Sequence, residues 1–123
     1  MNITISNTSN AAIYEQIVAQ IKDGIIRREL QPEQALPSIR SLARDLQISV
    51  ITTKRAYEQL EAEGLIYSQP GKGFYVSHSK TNILKEKRVQ GLEEQMADLI
   101  RQCKNAELTK EEIIGLIEVL YDE

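Results

Sequence analysis

The sequence predicts a mainly α-helical protein that carries one small β-hairpin. Isoleucines recur every four residues near the N-terminus, at Ile13, Ile17, Ile21 and Ile25, and this spacing places them on one face of a helix. Between residues 65 and 76, two short runs of β-forming residues flank a turn rich in glycine. Two further helical patterns follow towards the C-terminus.

Two helices are predicted first. The N-terminal helix covers about residues 11–28, and either Asn10 or Ser9 is expected at its N-cap. A proline-containing turn ends it. The second helix is short, residues 39–46, and the Ser38 hydroxyl can accept a hydrogen bond from one of its free N-terminal amides.

A third helix and the hairpin come next. After a three-residue turn, Ser49 is expected to cap a helix over about residues 50–63, which Gly64 ends. Strands are predicted at residues 65–67 and 74–76. The side of the third helix expected to be buried carries Thr53, Ala56, Tyr57 and Leu60.

The remaining residues read as a hinge and two helices. A polar hinge at residues 77–82 precedes a long helix over about residues 83–104. Thr109 and Glu112 form a capping-box pattern, which predicts a last helix over about residues 110–121.

This order of elements is that of a winged helix-turn-helix over residues 1–77, followed by a two-helix dimerisation tail over residues 78–123. A tail of this length is too short to fold alone, so it must pack on the winged unit, on a second copy, or on both. We expect a homodimer through residues 83–121. The apolar side chains expected in that contact are Leu84, Leu92, Met96, Leu99, Ile100, Ile113, Ile117 and Leu120.

The winged helix-turn-helix predicts binding to double-stranded DNA. Its third helix presents the outer face of its N-terminus, which can enter a major groove about 12 Å wide. The side chains near this start are Ser49, Val50, Ile51, Thr52, Lys54 and Arg55. The net charge of −3 does not oppose this prediction, because residues 1–77 carry eight basic and eight acidic side chains and the deficit lies in the tail.

Several motifs resemble the GntR family of bacterial regulators. Residues 36–43, Leu-Pro-Ser-Ile-Arg-Ser-Leu-Ala, resemble the LPSxRxLA signature of that family. Residues 57–66 and 70–76 resemble the remainder of its DNA-binding domain, so that the resemblance covers about residues 13–76. The short tail resembles that of the YtrA subfamily, which has two helices in place of a large effector domain.

The resemblance implies particular DNA contacts. Arg40, beside the cap Ser38, matches an arginine of the second helix that reaches DNA, and Thr52 and Lys54 match contact positions of the recognition helix. The wing tip, which the resemblance places in the minor groove, is matched by Gly71 and Lys72 with Gly73 beside them. The wing glycines also have a simpler explanation, since they can merely shape a turn.

The sequence departs from the family pattern at three positions. After Ser49, where the family often has arginine or asparagine, stands Val50, followed by Ile51, which favours apolar contact with thymine methyl groups. Glu33 and Gln47 stand where the family usually has glycine. Arg55 is open to two interpretations, contact with phosphate or pairing with a nearby residue such as Glu58.

The expected function is therefore a sequence-specific transcriptional regulator, a repressor that binds a palindromic operator as a homodimer. The resemblance implies a transporter operon as target and leaves open a small-molecule inducer. The alternative is a winged-helix adaptor that binds protein instead of DNA. We expect no enzyme activity, because no nucleophile–base pair or phosphate loop is recognisable.

No cofactor, metal or membrane contact is expected either. His78 and Cys103 have no spaced partners of the kind a metal site needs. No apolar stretch approaches the roughly 20 residues that span a bilayer, and residues 1–10 lack the pattern of a secretion signal. With one cysteine, the chain is expected to be cytoplasmic.

Overall fold

The computed structural model describes residues 1–78 and 81–123, the side chains of residues 81 and 82 excepted. The predicted fold class, mainly helical with one hairpin, is confirmed. The elements are α1 (Ile13–Ile26), α2 (Ile39–Leu46), α3 (Val50–Ala62), β1 (Ile66–Gln69), β2 (Gly73–Val76), α4 (Thr81–Asn105) and α5 (Lys110–Tyr121). They divide into two compact units, Met1–Lys85 and Glu86–Glu123.

The start of α1 differs from the prediction. Its N-cap is Ala12, which makes no side-chain cap, so the predicted cap at Asn10 or Ser9 is wrong. The Ser9 hydroxyl instead accepts from the Ala11 amide at 3.1 Å, which closes a local turn before the helix begins. The predicted apolar stripe is confirmed, because Ile17 and Ile21 are fully buried.

The core of the first unit lies between α1, α3 and the hairpin. The predicted buried side of α3 is confirmed at all four positions: Thr53, Ala56, Tyr57 and Leu60. Thr53 is polar and inaccessible, and its hydroxyl donates to the Ser49 carbonyl at 3.1 Å, so its burial leaves no polar group unpaired.

Two predicted caps position the helix-turn-helix. Ser38 accepts from the Ser41 amide at 3.1 Å at the start of α2, and Ser49 accepts from the Thr52 amide at 3.0 Å at the start of α3. Between them Gln47 adopts a left-handed φ of 56°, and the Ile48 amide donates to the Ala43 carbonyl at 3.0 Å. The left-handed conformation explains why glycine is favoured at the Gln47 position.

The hairpin gains a third extended segment. β1 and β2 are antiparallel, with Ile66 opposite Val76. On the other side of β2, the Glu33 amide donates to the Val76 carbonyl at 2.8 Å and the Leu36 amide donates to the Phe74 carbonyl at 2.9 Å. The wing is therefore joined by backbone hydrogen bonds to the segment that leads into α2.

The second unit consists of the later part of α4 and all of α5. The capping box at the start of α5 is confirmed: the Thr109 hydroxyl accepts from the Glu112 amide, and the Glu112 carboxylate accepts from the Thr109 amide. The Thr109 amide, which donates to the carboxylate, and then the Thr109 hydroxyl hold the pKa of Glu112 below its usual value. No residue of α5 is buried, although the helix is rich in isoleucine and leucine.

Candidate nucleic-acid interface

The first turn of α3 is held by a pair of hydroxyl groups. The Ser49 hydroxyl accepts from the Thr52 amide and donates its own proton to Thr52 Oγ1 at 2.8 Å. Because Thr52 Oγ1 accepts this proton, the Thr52 hydroxyl keeps its own hydrogen for another acceptor. A base edge or a phosphate oxygen can be the acceptor of that hydrogen bond.

Beside these hydroxyls lie two exposed apolar side chains. Val50 and Ile51 are the first two residues of α3, and their side chains are 46% and 81% exposed. Both lie on the outer face, as the sequence predicted, because the opposite face of α3 is filled by Thr53, Ala56 and Tyr57.

Two exposed cations, Arg40 and Lys54, lie near the starts of α2 and α3. Arg40 is exposed on the first turn of α2. Lys54 Nζ lies 3.7 Å from Glu58 Oε1, with both side chains 63% exposed. A surface ion pair at this spacing contributes only about 0.3–0.5 kcal/mol, so a phosphate can displace Glu58 easily.

Arg55 packs on an aromatic ring instead of pairing with a nearby glutamate, and its predicted contact with phosphate stays a prediction. Its guanidinium carbon lies 3.8 Å from the centroid of the Tyr14 ring of α1. A guanidinium over an aromatic face is attracted by the ring and keeps its N–H groups pointing outward in the guanidinium plane. Glu58, which the sequence offered as a partner, lies near Lys54 instead. No local pattern along α3 indicated the contact with Tyr14.

The tip of the wing is built from glycines with left-handed backbone. Gly71 has φ 75° and Gly73 has φ 101°, and a Cβ added at either position would meet no atom within 4 Å. Backbone conformation therefore requires these glycines, while the open space leaves their backbone accessible. Lys72 between them is exposed, and its amide donates to the Gln69 carbonyl at 2.9 Å.

Tyr57 joins the recognition helix to both neighbouring elements. Its hydroxyl donates to the Pro37 carbonyl at 2.7 Å, directly before the cap of α2, and its ring meets Phe74 of β2 edge-on at 5.0 Å. Burial raises the pKa of Tyr57. The sequence predicted this residue as core but missed its positioning role. The signal was its phenol, since a buried tyrosine hydroxyl needs a partner.

Two further tyrosines lie on the wing. The rings of Tyr67 and Tyr75 stack with centroids 5.8 Å apart, and the Tyr75 hydroxyl donates to the Lys72 carbonyl at 3.1 Å. The Tyr67 hydroxyl donates to the Glu33 carboxylate, and this hydrogen bond raises the pKa of Tyr67. These contacts tie the wing tip to its own strands and to the segment before α2.

The predicted DNA-binding residues all lie in the first unit. Thr52 is half-buried, and the other ten are exposed. Among the predicted dimerisation residues, Leu84 differs, because it is half-buried and packs against the core of the first unit. In the second unit Ile113 is half-buried, and Leu92, Met96, Leu99, Ile100, Ile117 and Leu120 are exposed.

Within residues 1–78 and 81–123, no cluster of three or more histidine, cysteine, aspartate or glutamate side chains is arranged to hold a metal ion. None of the helices formed by the described residues is both long enough and apolar enough to cross a membrane. His78 is exposed and Cys103 is half-buried.

Comparison with known proteins agrees with this geometry. The profile of the gntR family of bacterial regulatory proteins matches residues 13–76. The HTH-type transcriptional repressor YtrA of Bacillus subtilis is 36% identical over 98 residues, which cover 80% of this chain and 75% of that protein.

Two solved structures resemble the chain. A GntR family transcriptional regulator from Listeria monocytogenes is 28% identical, with a TM-score of 0.75, and covers 93% of this chain and 97% of its own. The AraR DNA-binding domain, in complex with operator ORE1, is 25% identical with a TM-score of 0.53 over 63% of this chain and 94% of its own. The chain belongs to the GntR family of bacterial regulatory proteins and is a DNA-binding transcriptional regulator.

Proposed function

We propose that the chain is a repressor that binds a palindromic operator as a homodimer, with the first unit reading DNA and the second joining two copies. The observation that carries the proposal is the first turn of α3, where an unpaired hydroxyl donor and two apolar side chains stand beside cations on an exposed helix start. A helix start of this kind fits the major groove and reads base edges.

The groups around α3 divide into reading and positioning roles. Val50, Ile51 and Thr52 face the bases, while Arg40 and Lys54 bind phosphates on either side of the groove. Phosphate contacts fix orientation and register, whereas base contacts give specificity. The capped amides at the start of α2 and α3, together with the positive ends of the helix dipoles, add to the attraction for phosphate.

Arg55 is proposed as a phosphate contact that is prepared in the free protein. The Tyr14 ring holds the guanidinium at 3.8 Å, so that binding immobilises a side chain that is already ordered. At the wing, the accessible backbone of Gly71 and Gly73 permits close approach to DNA, and Lys72 lies between them.

Dimerisation is supported by the exposure of apolar side chains in the second unit. Leu92, Met96 and Leu99 of α4 are 49%, 52% and 59% exposed, and Ile117 and Leu120 of α5 are 48% and 59% exposed. So many exposed apolar residues on two helices mark a contact surface, and a second copy covers both surfaces symmetrically. Two joined first units would then read two half-sites about one helical turn apart, or a multiple of it.

The same proposal includes a setting. A repressor acts by occupying DNA in the cytoplasm, and the YtrA-like tail suggests an operon for a transporter. An inducer, if one acts on this chain, would change the distance between recognition helices through the dimer contact.

In vitro selection from a random-sequence library with the full chain tests the proposal. We expect enrichment of an inverted repeat, bound by two chains per duplex in sedimentation equilibrium. Enrichment of a single, non-repeated site bound by one chain would contradict the dimer. Failure to enrich any sequence, even at low salt, would contradict operator binding and leave the adaptor as the better account, with Val50 and Ile51 as its contact.

A further inference from the structure

The apolar pair at the start of α3, Val50 and Ile51, lies outside the core of the first unit. Ile51 is 81% exposed and Val50 is 46% exposed. Among the large apolar side chains of residues 1–78, only Met1 is also exposed, while the others are buried or half-buried in the core. Neither core packing nor helix propensity, for which alanine is better, therefore explains two adjacent β-branched residues in the first turn of this helix.

The surroundings of the pair indicate what kind of surface it meets. The Thr52 hydroxyl, the Lys54 ammonium and the Arg55 guanidinium lie within one turn along the same helix. A protein partner usually requires a contiguous apolar patch of several hundred Å², and two side chains amid polar groups fall well below that. The pair fits a small apolar group embedded in a polar, anionic partner.

Double-stranded DNA offers one such group. In the major groove each base presents hydrogen-bond donors or acceptors, and thymine adds a projecting apolar 5-methyl group. Resting on the proposed function, we infer that Ile51, with Val50 beside it, reads thymine methyl groups, so that each half-site carries a T·A pair at the position that faces the start of α3. Their branched side chains have few rotamers, so little side-chain freedom is lost on contact.

Replacing thymine by deoxyuridine tests this inference, because deoxyuridine pairs with adenine but lacks the methyl group. The operator is first selected from a random library with the full chain. Each thymine of a half-site is then replaced singly, and affinity is measured by fluorescence anisotropy. We expect one or two positions at which the wild-type chain loses about three- to ten-fold in affinity, the value of one buried methyl group.

Variants separate the reader from the remainder of the interface. Ile51→Ala should bind the thymine operator more weakly, yet lose no further affinity when deoxyuridine replaces thymine. Lys72→Ala, at the wing, should bind every duplex more weakly and keep the full three- to ten-fold deoxyuridine effect. Because Ile51 is outside the core, its replacement leaves the fold intact, which circular dichroism would verify.

Three results overturn the inference. The wild-type chain could be indifferent to deoxyuridine at every position, or Ile51→Ala could retain the full deoxyuridine loss. In both cases a sequence would still be selected, so the proposed function would stand. If no sequence is enriched, the proposed function fails and this inference fails with it.

Discussion

Tyr57→Phe tests whether the phenol hydroxyl of Tyr57 positions α2 and α3, the two helices proposed to contact DNA. The substitution removes one hydroxyl from a residue with no exposed surface and keeps the ring that packs edge-on against Phe74. What is lost is the hydrogen bond to the Pro37 carbonyl, 2.7 Å long and partly buried. A lost hydrogen bond costs about 0.5–1.5 kcal/mol, and a buried carbonyl left without a donor costs about 1–3 kcal/mol.

Because the Pro37 carbonyl is only partly buried, water can replace part of the lost bond, and we expect the free energy of unfolding to fall by about 1–2 kcal/mol. Urea denaturation followed by circular dichroism measures this change, and the midpoint should fall while the slope stays constant. Operator affinity should fall as well, because Pro37 directly precedes Ser38, the cap of α2, and Arg40 follows that cap by two residues.

Tyr121→Phe is the matched control, since the Tyr121 side chain is 86% exposed and its hydroxyl should contribute less than about 0.5 kcal/mol. Should Tyr57→Phe and Tyr121→Phe unfold at the same urea concentration and bind the operator equally well, the Pro37 bond would have no positioning role and the argument from Tyr57 would be refuted.

Three further predictions concern backbone strain, pH and the dimer. Gln47→Gly should raise the free energy of unfolding by about 0.5–1 kcal/mol, because Gln47 has a left-handed φ of 56°. Gln102→Gly, inside α4, should instead lower the free energy of unfolding by about 1 kcal/mol. Urea titrations that rank the two variants the other way would count against the left-handed turn. Burial raises the pKa of Tyr57 above its unfolded value of 10.0, so its protonated form contributes stability that is complete below pH 10.0 and is lost as pH rises further. The decline in unfolding free energy at alkaline pH should therefore be smaller in Tyr57→Phe than in the wild type. Equal declines would contradict the raised pKa of Tyr57. Leu99→Asp should be monomeric in sedimentation equilibrium, because it places a charge on the proposed apolar contact surface. Lys104→Asp, a charge change on the same helix, should remain dimeric. A dimeric Leu99→Asp would show that this face of α4 is not part of the dimer contact.

Local signals made most of the fold predictable. Ser38, Ser49 and Thr109 each cap a helix by accepting from an amide three residues further on, so the whole interaction lies within four residues of sequence. The buried face of α3 followed in the same way from helical spacing. The predicted polar cap of α1 was wrong, because the Ser9 hydroxyl accepts from the Ala11 amide and closes a separate turn before the helix begins.

Contacts between residues distant in sequence could not be predicted. Arg55 stacks on Tyr14, 41 positions earlier, whereas spacing along α3 could suggest only nearby partners such as Glu58. The pairing of residues 33–36 with β2 was not predicted, since hydrogen bonds such as that from the Leu36 amide to the Phe74 carbonyl require the tertiary fold. The candidate DNA contacts were visible in the sequence, but their hydrogen-bonding state was not. Only the structure shows that the Thr52 hydroxyl accepts a hydrogen bond from the Ser49 hydroxyl.

The central claim is that the chain binds DNA sequence-specifically through α3 and the wing. Fluorescence anisotropy of the purified chain, titrated into the operator selected from the random-sequence library and into a shuffled fragment of equal length at several salt concentrations, tests it most directly. We predict at least about 10³-fold tighter binding to the selected operator, affinity that falls linearly with salt on logarithmic axes, and loss of the preference in Thr52→Ala. Equal affinity for a selected operator and its shuffled counterpart, at every salt concentration, would contradict the claim.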